Sequence, residues 1–241
     1  MPKHTSRPDW EQVLSAAARL QQLLPEAVLV GGTASALHAQ HRFSRDADHV
    51  LPGLREHFDE ILAQLESVAG WKTARVQRPV QILGSLDGIE TGIRQLIREK
   101  PLETTVVNYG GQAITVPTKA EILRIKSALI LKRNATRDYL DFVALADQLG
   151  DEKTATALSD LDALYPQPNQ ESALQQLQIQ LANPLPYDLE QTRLAEYKNL
   201  APKWQDWNTV KAACRHCATT VFDRVAALEQ QRTPKKPDGP E

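Results

Sequence analysis

Two carboxylates one residue apart, Asp46 and Asp48, follow a diglycine, Gly31-Gly32, in the segment VLVGGTASALHAQHRFSRDADHV that spans residues 28–50. On a strand, residues i and i+2 share a face, so Asp46 and Asp48 can hold the same divalent ions. A diglycine lets backbone N–H groups approach phosphate oxygens with no Cβ in the way. Positioned metal and held phosphates are most of what phosphoryl and nucleotidyl transfer require of a protein. Neither half is specific alone, since Asp-x-Asp is commonly a solvated pair and Gly-Gly a tight turn. Their order carries the information: apolar strand, diglycine, a helix-compatible stretch from Thr33 to Gln40, then the carboxylates opening a second apolar strand. The expected roles are metal binding for Asp46 and Asp48, and nucleotide binding for Gly31, Gly32 and Thr33. No GxGxxG, GxxxxGK[ST] or GxSxG pattern competes with this reading.

Placing these residues requires a sheet, and the chain supplies strand patterns in its N-terminal half. Val28 to Val30 and Asp46 to Leu51 read as the first two strands, with Lys72 to Val76 and Val80 to Leu83 as two more. Thr104 to Asn108 and Gln112 to Val116 flank Tyr109-Gly110-Gly111 as a hairpin. Helices are expected from an Asp9 N-cap to about Leu24 and between Leu54 and Val68. Beyond Pro117 the pattern is helical: Thr118 to about Lys132, Thr136 to Leu149, 151–163, 170–182, 188–198, and about Trp207 to Gln231. The expected architecture is α+β. A nucleotidyltransferase-like mixed sheet occupies 1–117, and a helical region completing the active site occupies 118–231. Residues 1–8 and a tail, 232–241, read as disordered.

A third acid for this chemistry is expected on a neighbouring strand, but the polar position of Val80 to Leu83 is Gln81, a neutral amide that is a poor Mg²⁺ ligand. Asp87 and Glu90 lie just beyond. They read more simply as a turn residue and as an acid in the first turn of a following helix. Further along, Lys126 falls inside the apolar stripe of its helix, between Ile122 and Ile130, with Arg133 beside it, whereas Arg124 and Lys132 point away. Asp138 lies on the stripe of the next helix, with Asp141 at its edge. A buried ion pair, Lys126 or Arg133 with Asp138, is one explanation. A phosphate contact for Lys126 is favoured, because residues 119–137 hold six basic side chains and Glu121 as their one acid.

Gly31-Gly32, Asp46-x-Asp48 and the later KSALILKRNATRDYLD, with Lys126, Arg133, Arg137, Asp138 and Asp141, make residues 26–149 resemble the AbiEii/AbiGii-type nucleotidyltransferase toxins of bacterial toxin–antitoxin and abortive-infection systems. The resemblance implies that Gly31 and Gly32 contact the triphosphate and that Asp46 and Asp48 hold Mg²⁺ (or Mn²⁺). It also implies that Lys126, with Arg133, contacts the nucleotide, and that an acid of the Asp138/Asp141 segment joins in catalysis. The implied substrates are an NTP and an RNA acceptor, tRNA foremost, and the implied partner is a cognate antitoxin.

A net charge of −2 argues against a uniformly basic nucleic-acid coat but leaves room for a local basic cleft. No signal peptide or membrane span is evident, and two cysteines are too few for a disulfide framework, which suggests a cytoplasmic setting. Cys214 and Cys217 look like half a zinc site but are more simply packing residues, His38 and His41 read as exposed, and Trp204 and Trp207 read as helix anchors. Two other functions compete: transfer to a small hydroxylated acceptor such as an aminoglycoside, and a catalytically silent nucleotide- or protein-binding relative. A drug pocket would be acidic, so the basic run tips the expectation toward RNA.

Overall fold

The computed structural model describes residues 9–232. The disorder expected for residues 1–8 and for the tail beyond Arg232 lies outside the described residues. The described residues form two compact units, 9–122 with 193–205, and 123–192 with 206–232. The division thus falls inside a helix rather than after residue 117, and 193–205, expected within the helical region, packs with the first unit.

The first unit opens with α1 (Trp10–Leu23). Its start is fixed by a capping box, in which the Asp9 carboxylate accepts from the Gln12 N–H and the Gln12 side chain accepts from the Asp9 N–H. The elements β1 (Val28–Leu29), α2 (Gly31–Ala39), β2 (Asp46–Leu51), α3 (Phe58–Glu66), β3 (Trp71–Gln77), β4 (Gln81–Leu86) and β5 (Ile89–Gln95) follow. They make a five-stranded mixed sheet in the order β1-β2-β5-β4-β3, in which β2 and β5 are parallel and the other pairs antiparallel. One face is buried: Ala47, His49 and Leu51 of β2, Ile82 and Leu86 of β4, and Ile89, Thr91 and Ile93 of β5. Leu20 and Leu24 near the end of α1 and Ile61 and Leu65 of α3 join that core. Each such burial stabilises by roughly 1.5–3 kcal/mol before the cost of ordering.

Strand β5 corrects the expectation of a helix after Gly88. Asp87 and Gly88 both take positive φ, 54° and 83°, as a two-residue hairpin turn requires. Ile89, Thr91 and Ile93 then alternate into the core. A second hairpin, β6 (Thr104–Tyr109) and β7 (Gln112–Pro117), turns at Gly110-Gly111 as expected, and β7 packs beside α1 and β1.

Helix α4 (Lys119–Arg133) begins in the first unit and continues into the second, which also holds α5 (Thr136–Leu149), α6 (Asp151–Leu158), α7 (Leu161–Leu164), α8 (Ala173–Ala182), α9 (Trp207–His216) and α10 (Phe222–Arg232). A π-helical stretch, Cys217–Val221, joins the last two into the long helix expected from Trp207. The helix expected over 188–198 does not form. Within the second unit the Asp188 carboxylate caps α5, accepting from the Thr136 N–H at 2.7 Å and its hydroxyl at 2.8 Å, while the Tyr187 N–H donates to the Asn134 carbonyl. Those bonds break the segment into turns, with a single 3-10 turn at Leu194–Glu196, where local propensity favours a helix. No helix among the described residues is long and apolar enough to cross a membrane.

Candidate active site

Strand β2 alternates strictly, so Ala47, His49 and Leu51 fill the core while Asp46 and Asp48 stand half-buried on the opposite face. Register adds to that open face: Glu90, Gly92 and Arg94 of β5 sit across from Asp46, Asp48 and Val50, and Gln81 of β4 sits across from Arg94. Gln81 is therefore two strands away from the carboxylate pair. Glu90 is exposed on the adjacent strand, whereas Asp87 ends in the turn, ion-paired with Arg19 of α1.

Glycines make room for Asp48. Gly31, at φ +70°, opens α2 beside it, and a Cβ there would lie 3.7 Å from Asp48 Oδ2; a Cβ on Gly92 would overlap Oδ1. Arg94 approaches the same oxygen to 3.9 Å. Asp46 accepts from the Ser44 hydroxyl at 2.5 Å. Helix α2 starts at the diglycine itself, two residues before the stretch expected from Thr33, and Val30, its N-cap, makes no side-chain cap. The first-turn N–H groups of Gly31, Gly32 and Thr33 therefore point out of the helix end without an intrahelical acceptor, as such ends present to anions. The Thr33 side chain is fully buried and donates to the Asp46 carbonyl at 2.5 Å, so its hydroxyl positions β2.

Three residues of this corner, Arg42, Ser44 and Gly92, lie outside the sequence motifs. A Cβ on Gly32 would lie 2.7 Å from both Arg42 Nη2 and Ser44 Oγ, so glycine is what lets them approach the helix end. Ser44 was discoverable, being two residues before Asp46 on an extended chain, and Gly92 inside a strand also signals a close approach. Arg42 carried no local signal. Its burial, 5% exposed, depends on the fold.

The second unit gathers the remaining candidates into a different environment. Lys126 is 1% exposed, and its ammonium donates to Asp141 at 2.6 Å and lies 3.5 Å from Asp138. Arg133 reaches both Asp138 oxygens, at 2.5 and 2.7 Å. Of the two roles open to Lys126, its surroundings display the buried ion pair, with Asp141 as the nearer partner. Arg124, expected to point to solvent, is instead buried and donates to the Ala157 carbonyl at 2.8 Å. Three of the six basic side chains of 119–137 are thus engaged internally, while Lys132 and Arg137 remain exposed.

The lesser candidates resolve as packing. Burial pushes the Cys217 thiol up to about 12 and the Cys214 thiol higher, so neither is a ready thiolate for zinc. His41 is buried rather than exposed, and His38 is half-buried against the Pro117 carbonyl. Trp207 meets Tyr139 edge to face at 6.2 Å within the second unit, and Trp204 is buried in the first.

No cluster of three or more His, Cys, Asp or Glu able to hold a metal ion occurs among the described residues. Two carboxylates, one oxygen of Asp46 being engaged by Ser44, still suit Mg²⁺, which usually takes one or two carboxylates and fills its shell with water and substrate phosphates. The donor set fits such an ion.

The model of the family described as nucleotidyl transferase AbiEii toxin, type IV TA system, matches residues 12–226. The chain belongs to that family. The AbiEii match spans both compact units, whereas the resemblance legible in the motifs ended at residue 149. A putative nucleotidyltransferase from H. pylori has a similar structure (TM-score 0.53, 15% identity, 90% of this chain and 98% of that one), and the fold is accordingly nucleotidyltransferase-like α+β. Curated relatives include the heme uptake protein MmpL11 of Mycobacterium tuberculosis, 35% identical over 138 residues (56% of this chain). The mycolic acid-containing lipids exporter MmpL11 of Mycolicibacterium smegmatis is 32% identical over 131 residues (53% of this chain). The chain spans 13% of the length of these relatives.

Proposed function

We propose that the protein transfers a nucleotide from an NTP to an RNA acceptor, tRNA foremost, and acts as a toxin restrained by a cognate antitoxin. The single observation that carries the reading is the Asp46/Asp48 pair on an open sheet face beside the Gly31-Gly32 helix end. The N–H groups of Gly31, Gly32 and Thr33 would hold the triphosphate. Asp46 and Asp48 would hold Mg²⁺ or Mn²⁺, which when bound offsets phosphate charge and polarises the phosphoryl group. The acceptor hydroxyl oxygen forms the new bond to the α-phosphorus, the bond to pyrophosphate breaks, and the hydroxyl proton passes to a base. Glu90, across from Asp46 on the same face, is the carboxylate we assign to that proton in place of any β4 residue. Lys126, Arg133, Asp138 and Asp141 we assign to holding α4 against α5.

Transfer to a small hydroxylated acceptor is the second reading. It is favoured by the internal engagement of Arg124, Lys126 and Arg133, which shrinks the basic surface that pointed to RNA. Incubating the purified protein with each labelled NTP, Mg²⁺ and either total tRNA or an aminoglycoside tests both. Label on tRNA supports the first reading, label on the drug the second, and label on neither removes the activity.

A further inference from the structure

Residues 193–205 follow the α8 region in sequence, yet fold with the first unit against the loop that joins α2 to β2. Two main-chain bonds fasten them: the Phe43 N–H donates to the Lys198 carbonyl at 2.8 Å, and the Ala201 N–H donates to the His41 carbonyl at 2.7 Å. Immediately before the first of these anchors, Lys198, the Tyr197 ring lies 5.4 Å from the guanidinium carbon of Arg42, which sits between His41 and Phe43. The loop also meets Trp10 of α1, whose ring stacks on Phe43 at 5.0 Å. The same loop carries Ser44, which is bonded to Asp46. Arg42 reaches the Gly32 end of α2, where positive backbone charge already accumulates. A buried guanidinium placed there adds to a field suited to an anion, and it must be held in place to do so.

We propose that Tyr197 is a positioning residue of the site: its ring fixes the Arg42 guanidinium at the Gly32 end of α2, where Arg42 binds the triphosphate of the incoming nucleotide. The inference rests on the nucleotidyltransferase reading above and extends it to a strap more than 140 residues downstream of the Asp-x-Asp strand. Tyr197 touches no reacting atom. It acts through the cation, so the electron density of its ring face is what matters.

The test is titration of the full chain with inorganic tripolyphosphate by calorimetry, which needs neither the base identity nor the acceptor. Tyr197→Phe should bind as wild type. Tyr197→Leu should weaken binding about three- to tenfold, the range of a partly desolvated cation–π contact. In an Arg42→Gln background, Tyr197→Leu should have no further effect. If Tyr197→Leu melts too low to titrate, phenylalanine analogues with one and three ring fluorines at position 197 keep the shape and drain the ring face. Affinity should then fall stepwise with fluorination. Equal binding by wild type and Tyr197→Leu, equal weakening by Phe and Leu, no dependence on fluorination, or an undiminished Tyr197 effect without Arg42 would each overturn the proposal. Failure of the wild type itself to bind tripolyphosphate would remove the nucleotide reading and the strap's role together.

Discussion

Two pairs of aspartates sit in opposite environments. Asp46 and Asp48 alternate along β2, half-buried beside glycines, with the Arg94 guanidinium 3.9 Å from Asp48. Asp138 and Asp141 lie one helical turn apart on α5, fully buried and matched against Lys126 and Arg133. A carboxylate already neutralised inside a unit is costly to disturb and has little left to offer a metal. Carboxylates kept half-exposed beside glycines remain within reach of a ligand, which is the place the proposed function gives them. The proposed function accordingly places the chemistry at the first pair and gives the second an architectural role.

The largest effect expected is at the buried pair. Lys126→Met keeps the apolar stem but strands Asp141, and stability should fall by roughly 3–5 kcal/mol in denaturant unfolding. Adding Asp141→Leu should restore much of that. Wild-type stability together with lost nucleotide affinity would instead return Lys126 to the phosphate. Next in size is the core side of the active strand. His49 is buried and neutral, its Nδ1 against the Ala47 carbonyl, and burial lowers its pKa from 6.5 to about 4. Between those values the unfolded chain binds the extra proton. This contribution is therefore complete above about pH 6.5 and is lost as pH falls toward 4, by about 3 kcal/mol in all. Thermal unfolding of His49→Gln should show a shallower acid slope than wild type, and equal slopes would refute the assignment. Smaller again, Gly92→Ala pushes Asp48 off its position, so transfer should drop about tenfold while stability moves by less than about 1 kcal/mol. A stability loss with normal transfer would mean that the crowding is relieved elsewhere. Smallest of all, Gln81→Ala, two strands from the pair, should change the transfer rate less than threefold, and a loss matching that at Asp46 would place Gln81 inside the site.

Local patterns made most of the first unit legible. Strand β2, the diglycine helix end and the Gly110-Gly111 hairpin all follow from alternation and glycine placement. Strand β5 was equally written in Asp87-Gly88 and the alternating Ile89, Thr91 and Ile93. Its acid, Glu90, also suited a helix start, and a single acid does not decide between the two. Lys126 and Asp138 were identifiable as charges inside apolar stripes. The pattern could not say that Asp141 is the closer partner, nor that Arg124 turns inward to the Ala157 carbonyl, since both depend on which helices meet. Residues 193–205 were the least legible. The helical pattern that reached residue 198 gives way to short 3-10 turns and main-chain bonds to a loop far upstream in sequence, and no local pattern encodes such a contact.

The division of labour between the aspartate pairs is tested most directly by the double variant Asp46→Asn with Asp48→Asn, assayed for transfer of labelled NTP and for melting temperature in one preparation. Loss of the metal-binding charge at both positions should reduce transfer by roughly 10²-fold or more, while removal of their mutual repulsion leaves the melting temperature at or above wild type. Transfer at the wild-type rate by that variant would contradict the assignment of the chemistry to this pair.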